Sequence, residues 1–235
     1  MDQAEFDAFA DEYHLAHGRN IKASGESPEF FHEYKVVDVA TALAPASAES
    51  NLQILDFGCG VGNSLPYFRR HFPRSSITGL DVSPKSLAVA RARYPAIGNL
   101  VQMSADGSLP FASETFDLVF AACVFHHIPH SEHLKLLLEW RRILKPDGSA
   151  FIFEHNPFNP LTVHAVNTCA FDKNAVLVKP RNLTSTLRSA GLTDVGCRFR
   201  IFFPKVLRHL RRTEAYLGWL PLGAQYVVTA RRGVL

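Results

Sequence analysis

Residues 55–63 read Leu55-Asp56-Phe57-Gly58-Cys59-Gly60-Val61-Gly62-Asn63. A short apolar run, residues 52–55, leads into them, and residues 64–71 can form a helix. Strand, glycine turn and helix in that order are what a nucleotide-type ligand site requires. Glycine serves where the backbone takes a positive φ, or where a ligand comes too close for a Cβ. The spacing is Gly-x-Gly-x-Gly, not the Gly-x-Gly-x-x-Gly of dinucleotide sites. Asp56 stands just before the loop. A carboxylate there suits a cationic amine and is a poor neighbour for pyrophosphate.

The alternation continues outward from this loop. Ile77-Thr78-Gly79-Leu80-Asp81 reads as a second strand, ending in an acid 25 residues after Asp56. Residues 99–103 form a third strand, followed by Ser104-Ala105-Asp106-Gly107. Phe116-Asp117-Leu118-Val119-Phe120 reads as a fourth strand, and Phe125-His126-His127-Ile128 lies in its exit loop. Leu144-Lys145-Pro146-Asp147-Gly148 turns into a fifth strand over 149–154. Strands alternating with helices imply a parallel sheet with right-handed crossovers. Ser83 reads as the cap of a helix over 84–93. The helix over 131–144 carries Leu134, Leu137, Leu138, Ile143 and Leu144 on one apolar face. Residues 180–190 form the next helix, with Gly191 as its stop. An amphipathic helix is expected over 205–219, with Val206, Leu207, Leu210 and Leu217 inward and Arg208, Arg211 and Arg212 outward.

Five ordered motifs over 52–155 resemble those of the class I S-adenosylmethionine-dependent methyltransferases, and the glycine loop resembles their motif I. The resemblance implies an α/β fold: a Rossmann-like seven-stranded sheet, mostly parallel, with helices on both faces. Strands 194–203 and 224–230 would form its C-terminal antiparallel hairpin. It implies S-adenosylmethionine as cofactor and S-adenosylhomocysteine as product. Asp56 would face the methionyl ammonium, with Gly58, Gly60 and Gly62 letting the backbone approach and Gly62 starting the helix. Asp81 would take the ribose diol, and Val82 would pack on adenine. Ala105 and Asp106 would read the adenine edge. Ala121 and Ala122 would pass close to the methionyl part, and His126 resembles a position beside the cofactor.

Residues 1–45 read as a helical arm, with apolar residues at helical spacing that include Phe6, Phe9, Tyr13, Phe30, Phe31 and Tyr34. Similar arms in the family fold over the cofactor, which would bring Tyr13 and Arg19 to its carboxylate. The alternative for Tyr13 is a packed helix face. Residues 46–235 would then be the methyltransferase domain. Within it, 156–180 is longer than a strand-to-helix connection needs and reads as a lid or substrate wall.

Composition sets the outer limits. The chain has 235 residues, 47% hydrophobic and 20% charged, enough for one α/β domain with a sizeable core. Its apolar runs fall short of the ~20 residues that span a bilayer. The first residues lack the pattern of a signal peptide. Cys59, Cys123, Cys169 and Cys197 lie far apart without metal-ligand spacing, so a cytoplasmic location with reduced thiols is expected. His/Cys spacing fit for a metal is not apparent, and no metal is expected. Charge is uneven: residues 1–35 hold eight acids and three Lys/Arg, and residues 179–235 hold eleven Lys/Arg and two acids. A basic tail means either an anionic partner or arginines on solvated faces.

Acid–base candidates sit beyond strands four and five, where ligands bind in such sheets. His127 is the first choice for a base on the acceptor side and His155 the second; structural hydrogen bonding is the competing role for both. Glu154, His164 and Asp172 are further candidates. The loop over 123–129 lacks the Asn-Pro-Pro-Tyr of enzymes that methylate nucleic-acid amino groups. It is similar to the branch that methylates quinones and varied secondary metabolites. The leading reading is therefore methyl transfer to an O or N atom of a small molecule, by a monomer or homodimer. The rivals are an RNA-modifying methyltransferase, favoured by the basic tail, and a non-catalytic S-adenosylmethionine-binding protein. Intact Asp56, Asp81 and Asp106 argue against the latter. A nicotinamide dehydrogenase fails on the glycine spacing and on Asp56.

Overall fold

The computed structural model describes residues 7, 21, 24–44, 50–96, 98–104, 107–169 and 172–233. Seven strands form one sheet: β1 (Gln53–Phe57), β2 (Ser76–Asp81), β3 (Asn99–Gln102), β4 (Phe116–Ala122), β5 (Leu144–His155), β6 (Thr193–Arg200) and β7 (Gln225–Arg231). Their order is β3-β2-β1-β4-β5-β7-β6. The first five are parallel, while β7 is antiparallel to both β5 and β6. The order reverses between β1 and β4, so the carboxyl ends of these two strands open the crevice where such sheets bind ligands.

Among the described residues, seven α-helices cover the faces: α1 (Pro28–Ala42), α2 (Leu65–His71), α3 (Pro84–Arg93), α4 (His133–Ile143), α5 (Pro160–Asn167), α6 (Pro180–Ser189) and the short α7 (Glu214–Leu217). Successive strand residues point to opposite faces, and the core divides accordingly. Leu55, Phe57, Val119, Ala121 and Ile152 join Leu137, Trp140, Leu183 and Leu187 on one side. Ile54, Leu118, Phe120 and Phe153 join Val36, Val39, Leu65 and Phe68 on the other.

Two amphipathic readings are corrected. On α4 the buried stripe is His133, Leu136, Leu137, Trp140 and Ile143, whereas Leu134 and Leu138 are 41% and 50% exposed. Trp140 selects this face by packing edge-on against Phe57 and Phe125, with ring centroids 5.4 and 5.5 Å away. Residues 205–219 are not one helix either. Lys205–Thr213 is 3-10 helix with a break at Leu207, followed by α7. Val206 points outward at 80% exposure. Arg211 turns inward, pairs with Glu26 at 2.8 Å and stacks on the Phe30 ring at 4.5 Å. An arginine stem that finds both a carboxylate and a ring face outweighs a simple apolar stripe. The helix after the glycine loop begins at Leu65, not at Gly62, because residues 61–64 form turns first. Among the described residues, no helix is long and apolar enough to cross a membrane.

Candidate active site

The glycine loop is held from below by β2. The N–H groups of Gly58 and Cys59 both donate to the Leu80 carbonyl, at 2.7 and 3.0 Å. Gly58 and Gly60 have φ of 70° and 52°, in the left-handed region. Their surroundings differ. A Cβ on Gly58 would lie 2.6 and 2.8 Å from the Val124 methyls, whereas a Cβ on Gly60 would meet nothing within 4 Å among the described residues. Gly58 is thus required by packing, and Gly60 borders open space where a ligand can approach. Gly62 lies tight against Leu65, Ala90 and Tyr94.

Gly58→Ala is therefore expected to destabilise the fold by about 2 kcal/mol or more through overpacking and backbone strain. Gly60→Ala should cost only about 1 kcal/mol of strain while weakening cofactor binding. Melting temperatures and cofactor titrations of the two variants separate the roles; identical behaviour would contradict the distinction.

Two carboxylates flank the loop. Asp81 Oδ2 accepts from the Gly60 N–H at 2.8 Å and Oδ1 accepts from the Ser83 N–H at 2.9 Å. Each oxygen keeps a further lone pair for a ligand. Ser83 caps α3 as expected, its Oγ accepting from the Ser86 N–H at 2.9 Å. Ser83 Oγ also donates to Asp7 of the N-terminal arm at 2.5 Å. Asp56 is 2% exposed, and among the described residues its Oδ2 has no hydrogen-bond partner. Burial, helped by the nearby Asp81 charge, pushes its carboxyl up to about 8. A buried carboxylate oxygen without a donor is costly. It fits a site that receives a cationic group.

A second group of polar side chains gathers beyond β4 and β5. Cys123 follows β4 with φ of 59°, a strained value for a non-glycine residue. Burial pushes its thiol up, but His155 and Lys35 outweigh this and bring it down to about 7. His155 is raised in turn by Cys123, against the effect of burial. The Gln225 amide lies 3.7 Å from the Cys123 sulfur, and the Tyr34 hydroxyl donates to the Gln225 carbonyl oxygen.

Glu154 is fully buried and grips the next turn, the 3-10 helix Phe125–His127. Its Oε1 accepts from the Val124 and Phe125 N–H groups at 3.0 and 2.7 Å, and its Oε2 lies 2.6 Å from His126 Nδ1. Burial disfavours a charged His126, yet Glu154 and Asp172 on either side hold it well above the usual histidine range. Burial lowers His127. The ion pairs to His126 and His127 overcome burial and hold Asp172 well below the usual carboxylate range.

Residues 55–152 match the family described as "Methyltransferase domain". That stretch is a class I S-adenosylmethionine-dependent methyltransferase domain. Trans-aconitate 2-methyltransferase of Methylobacterium nodulans is 34% identical over 118 residues, 50% of this chain and 44% of that protein. Demethylmenaquinone methyltransferase of Chlorobaculum parvum is 33% identical over 129 residues, 54% of this chain and 52% of that protein. The chain thus spans about half the length of the curated relatives it matches. An S-adenosylmethionine-dependent methyltransferase structure from Thermotoga maritima superposes with a TM-score of 0.66 at 18% identity, covering 98% of this chain and 99% of that one. This last likeness shows the seven-stranded methyltransferase fold.

Against this methyltransferase fold, the structure gathers Asp56, Gly58, Gly60, Gly62, Asp81 and Val82 around the carboxyl ends of β1 and β2. Ala121 and Ala122 end β4 beside them. Tyr13, Arg19, Ala105 and Asp106 lie outside the described residues. A cavity of about 220 Å³ bounded by α1, α2 and the end of α3 shares Asn63 with the loop but neither Asp56 nor Asp81.

His126, His127 and His155 do come together beyond β4 and β5, with the His126 ring centroid 4.2 Å from that of His127 and 5.1 Å from that of His155. Sequence reasoning missed the partners Cys123 and Gln225, since neither residue type announces a site. It also missed that His126, His127 and Asp172 place one ligand atom each within 4.8 Å of one another. Adjacent histidines and an acid 45 residues later make no recognisable metal spacing.

Proposed function

We propose that this chain transfers the methyl group of S-adenosylmethionine to an oxygen or nitrogen of a small-molecule acceptor. The orphaned, buried Asp56 oxygen beside an open Gly60 carries the cofactor half of the reading. When bound, the cofactor supplies an electrophilic methyl carbon on a sulfonium, and its leaving group is neutral. The protein's contribution is placement and exclusion of water. Asp56 receives the ammonium, Asp81 the ribose hydroxyls, and Val82 the adenine face. Tyr13, Arg19, Ala105 and Asp106 are assigned to the same cofactor on their motif positions. The contact of Asp7 with Ser83 supports an arm that closes over this end.

His127 and His155 line the acceptor end with Cys123 and Asp172, a polar wall suited to hydrogen-bonding an acceptor heteroatom. The similarity to proteins named for trans-aconitate and demethylmenaquinone supports a small molecule over RNA.

Calorimetric titration tests the reading. S-adenosylmethionine and S-adenosylhomocysteine are expected to bind at micromolar concentration, Asp81→Ala to weaken both at least tenfold, and NADH not to bind. A folded protein that binds NADH and neither sulfur ligand would overturn it.

A further inference from the structure

Three side chains from two segments converge beyond the ends of β4 and β5. His126 and His127 belong to the turn gripped by Glu154. Asp172 comes from the connection after α5, which is tied back by the Val176 N–H donating to the His126 carbonyl at 2.8 Å. Asp172 Oδ1 lies 3.4 Å from His126 Nε2 and 3.4 Å from His127 Nε2. We propose that His126, His127 and Asp172 bind a divalent transition-metal ion of the zinc type, with one coordination position left open.

Two of the distances suit an ion as well as pairing. Charge-assisted N–H···O contacts close to about 2.7–2.9 Å. The opposite edge of the same His126 ring makes such a contact, 2.6 Å to Glu154. At the Asp172 edge both separations stay at 3.4 Å. A tetrahedral ion with arms of about 2.0–2.1 Å sets neighbouring donor atoms about 3.3–3.4 Å apart.

The surrounding shell fits as well. A carboxylate on the far nitrogen of a metal-binding histidine fixes its tautomer and presents the other lone pair, and Glu154 does this for His126. Two imidazoles and one carboxylate are a donor set that suits zinc-type ions. Three protein ligands leave the open position of a catalytic-type site. The side chains of His126, His127 and Asp172 are 1%, 10% and 13% exposed, so the site is largely shielded from water. Any proton on the two Nε2 atoms passes to solvent as the ion enters. With two neutral imidazoles and one carboxylate, the site keeps net positive charge and draws water or an anionic oxygen of the acceptor into the open position. That last assignment rests on the methyl-transfer reading; the ion site itself does not.

The test uses tag-free full-length protein stripped with chelator. Zinc titration is expected to show one ion per chain at micromolar affinity or tighter. Cobalt(II) in its place should give the intense visible absorption of four-coordinate geometry. His127→Ala and Asp172→Asn should each weaken binding at least tenfold, with S-adenosylmethionine affinity retained as the check on folding. Wild-type protein that binds S-adenosylmethionine but no stoichiometric zinc would overturn the ion site alone, as would zinc affinity unchanged in both variants. Loss of S-adenosylmethionine binding by wild type, with zinc binding retained, would instead count against the methyl-transfer reading.

Discussion

Replacing Asp56 by Asn is expected to make the cofactor-free protein more stable and the cofactor about 10- to 100-fold weaker in binding. Both effects come from one buried oxygen. Asp56 Oδ2 has no donor among the described residues, and burial together with Asp81 raises its carboxyl to about 8. A folded-state value above the unfolded one means that the fold prefers the neutral acid. The associated stability is fully present below pH ~4 and is lost progressively as pH rises toward 8. An amide carries no such slope. The Tm advantage of Asp56→Asn should therefore grow between pH 6 and pH 8.5, toward about 1–3 kcal/mol.

Binding runs the other way. A cationic ammonium favours the ionised carboxylate, so wild-type affinity for S-adenosylmethionine should rise from pH 6 to pH 8. Binding at pH 7 should release a proton, seen as a calorimetric enthalpy that depends on the buffer. Losing one charge-assisted hydrogen bond costs about 1.5–3 kcal/mol, and the buffer dependence should vanish in the variant. An Asp56→Asn protein that is less stable at pH 8.5 and binds cofactor normally would sink this account.

The sheet and the glycine turn after β1 were legible because local rules decide them. Strand, glycine turn and helix recur with the same chemistry, and an acid at the end of β2 needs no distant partner to be recognised. Ser83 reads as a cap from sequence and is one in the structure. The polar cluster beyond β4 and β5 obeys different physics. Cys123 acquires its character from His155 and Lys35, which are remote in sequence. Asp172 meets His126 and His127 only because the connection after α5 folds back onto the turn that follows β4. The inward turn of Arg211 depends on Glu26 and Phe30 far upstream. Periodicity assigns a face to each residue in isolation, so it misplaced Val206 and Leu138, whose neighbours settle the outcome.

Glu154 looked like an acid–base candidate, and its surroundings give it a further role whose removal should have the largest effect on stability of any single change at the acceptor end. Its two oxygens satisfy the Val124 and Phe125 N–H groups and His126 Nδ1, all in a fully buried place. Glu154→Ala leaves two backbone donors and a buried imidazole without partners. Breaking a buried charged pair on one side costs about 3–5 kcal/mol, which for a domain of this size lowers Tm by about 10 °C. Glu154→Gln keeps an acceptor for the backbone groups and alters only the contact with His126, so about 1–2 kcal/mol is expected. The ordering of the two variants is the informative result. If the Gln variant is as damaged as the Ala variant, the charge on Glu154 and not its backbone grip holds the turn. If neither variant shifts Tm by more than a degree or two, the turn that presents His126 and His127 is held by something other than Glu154.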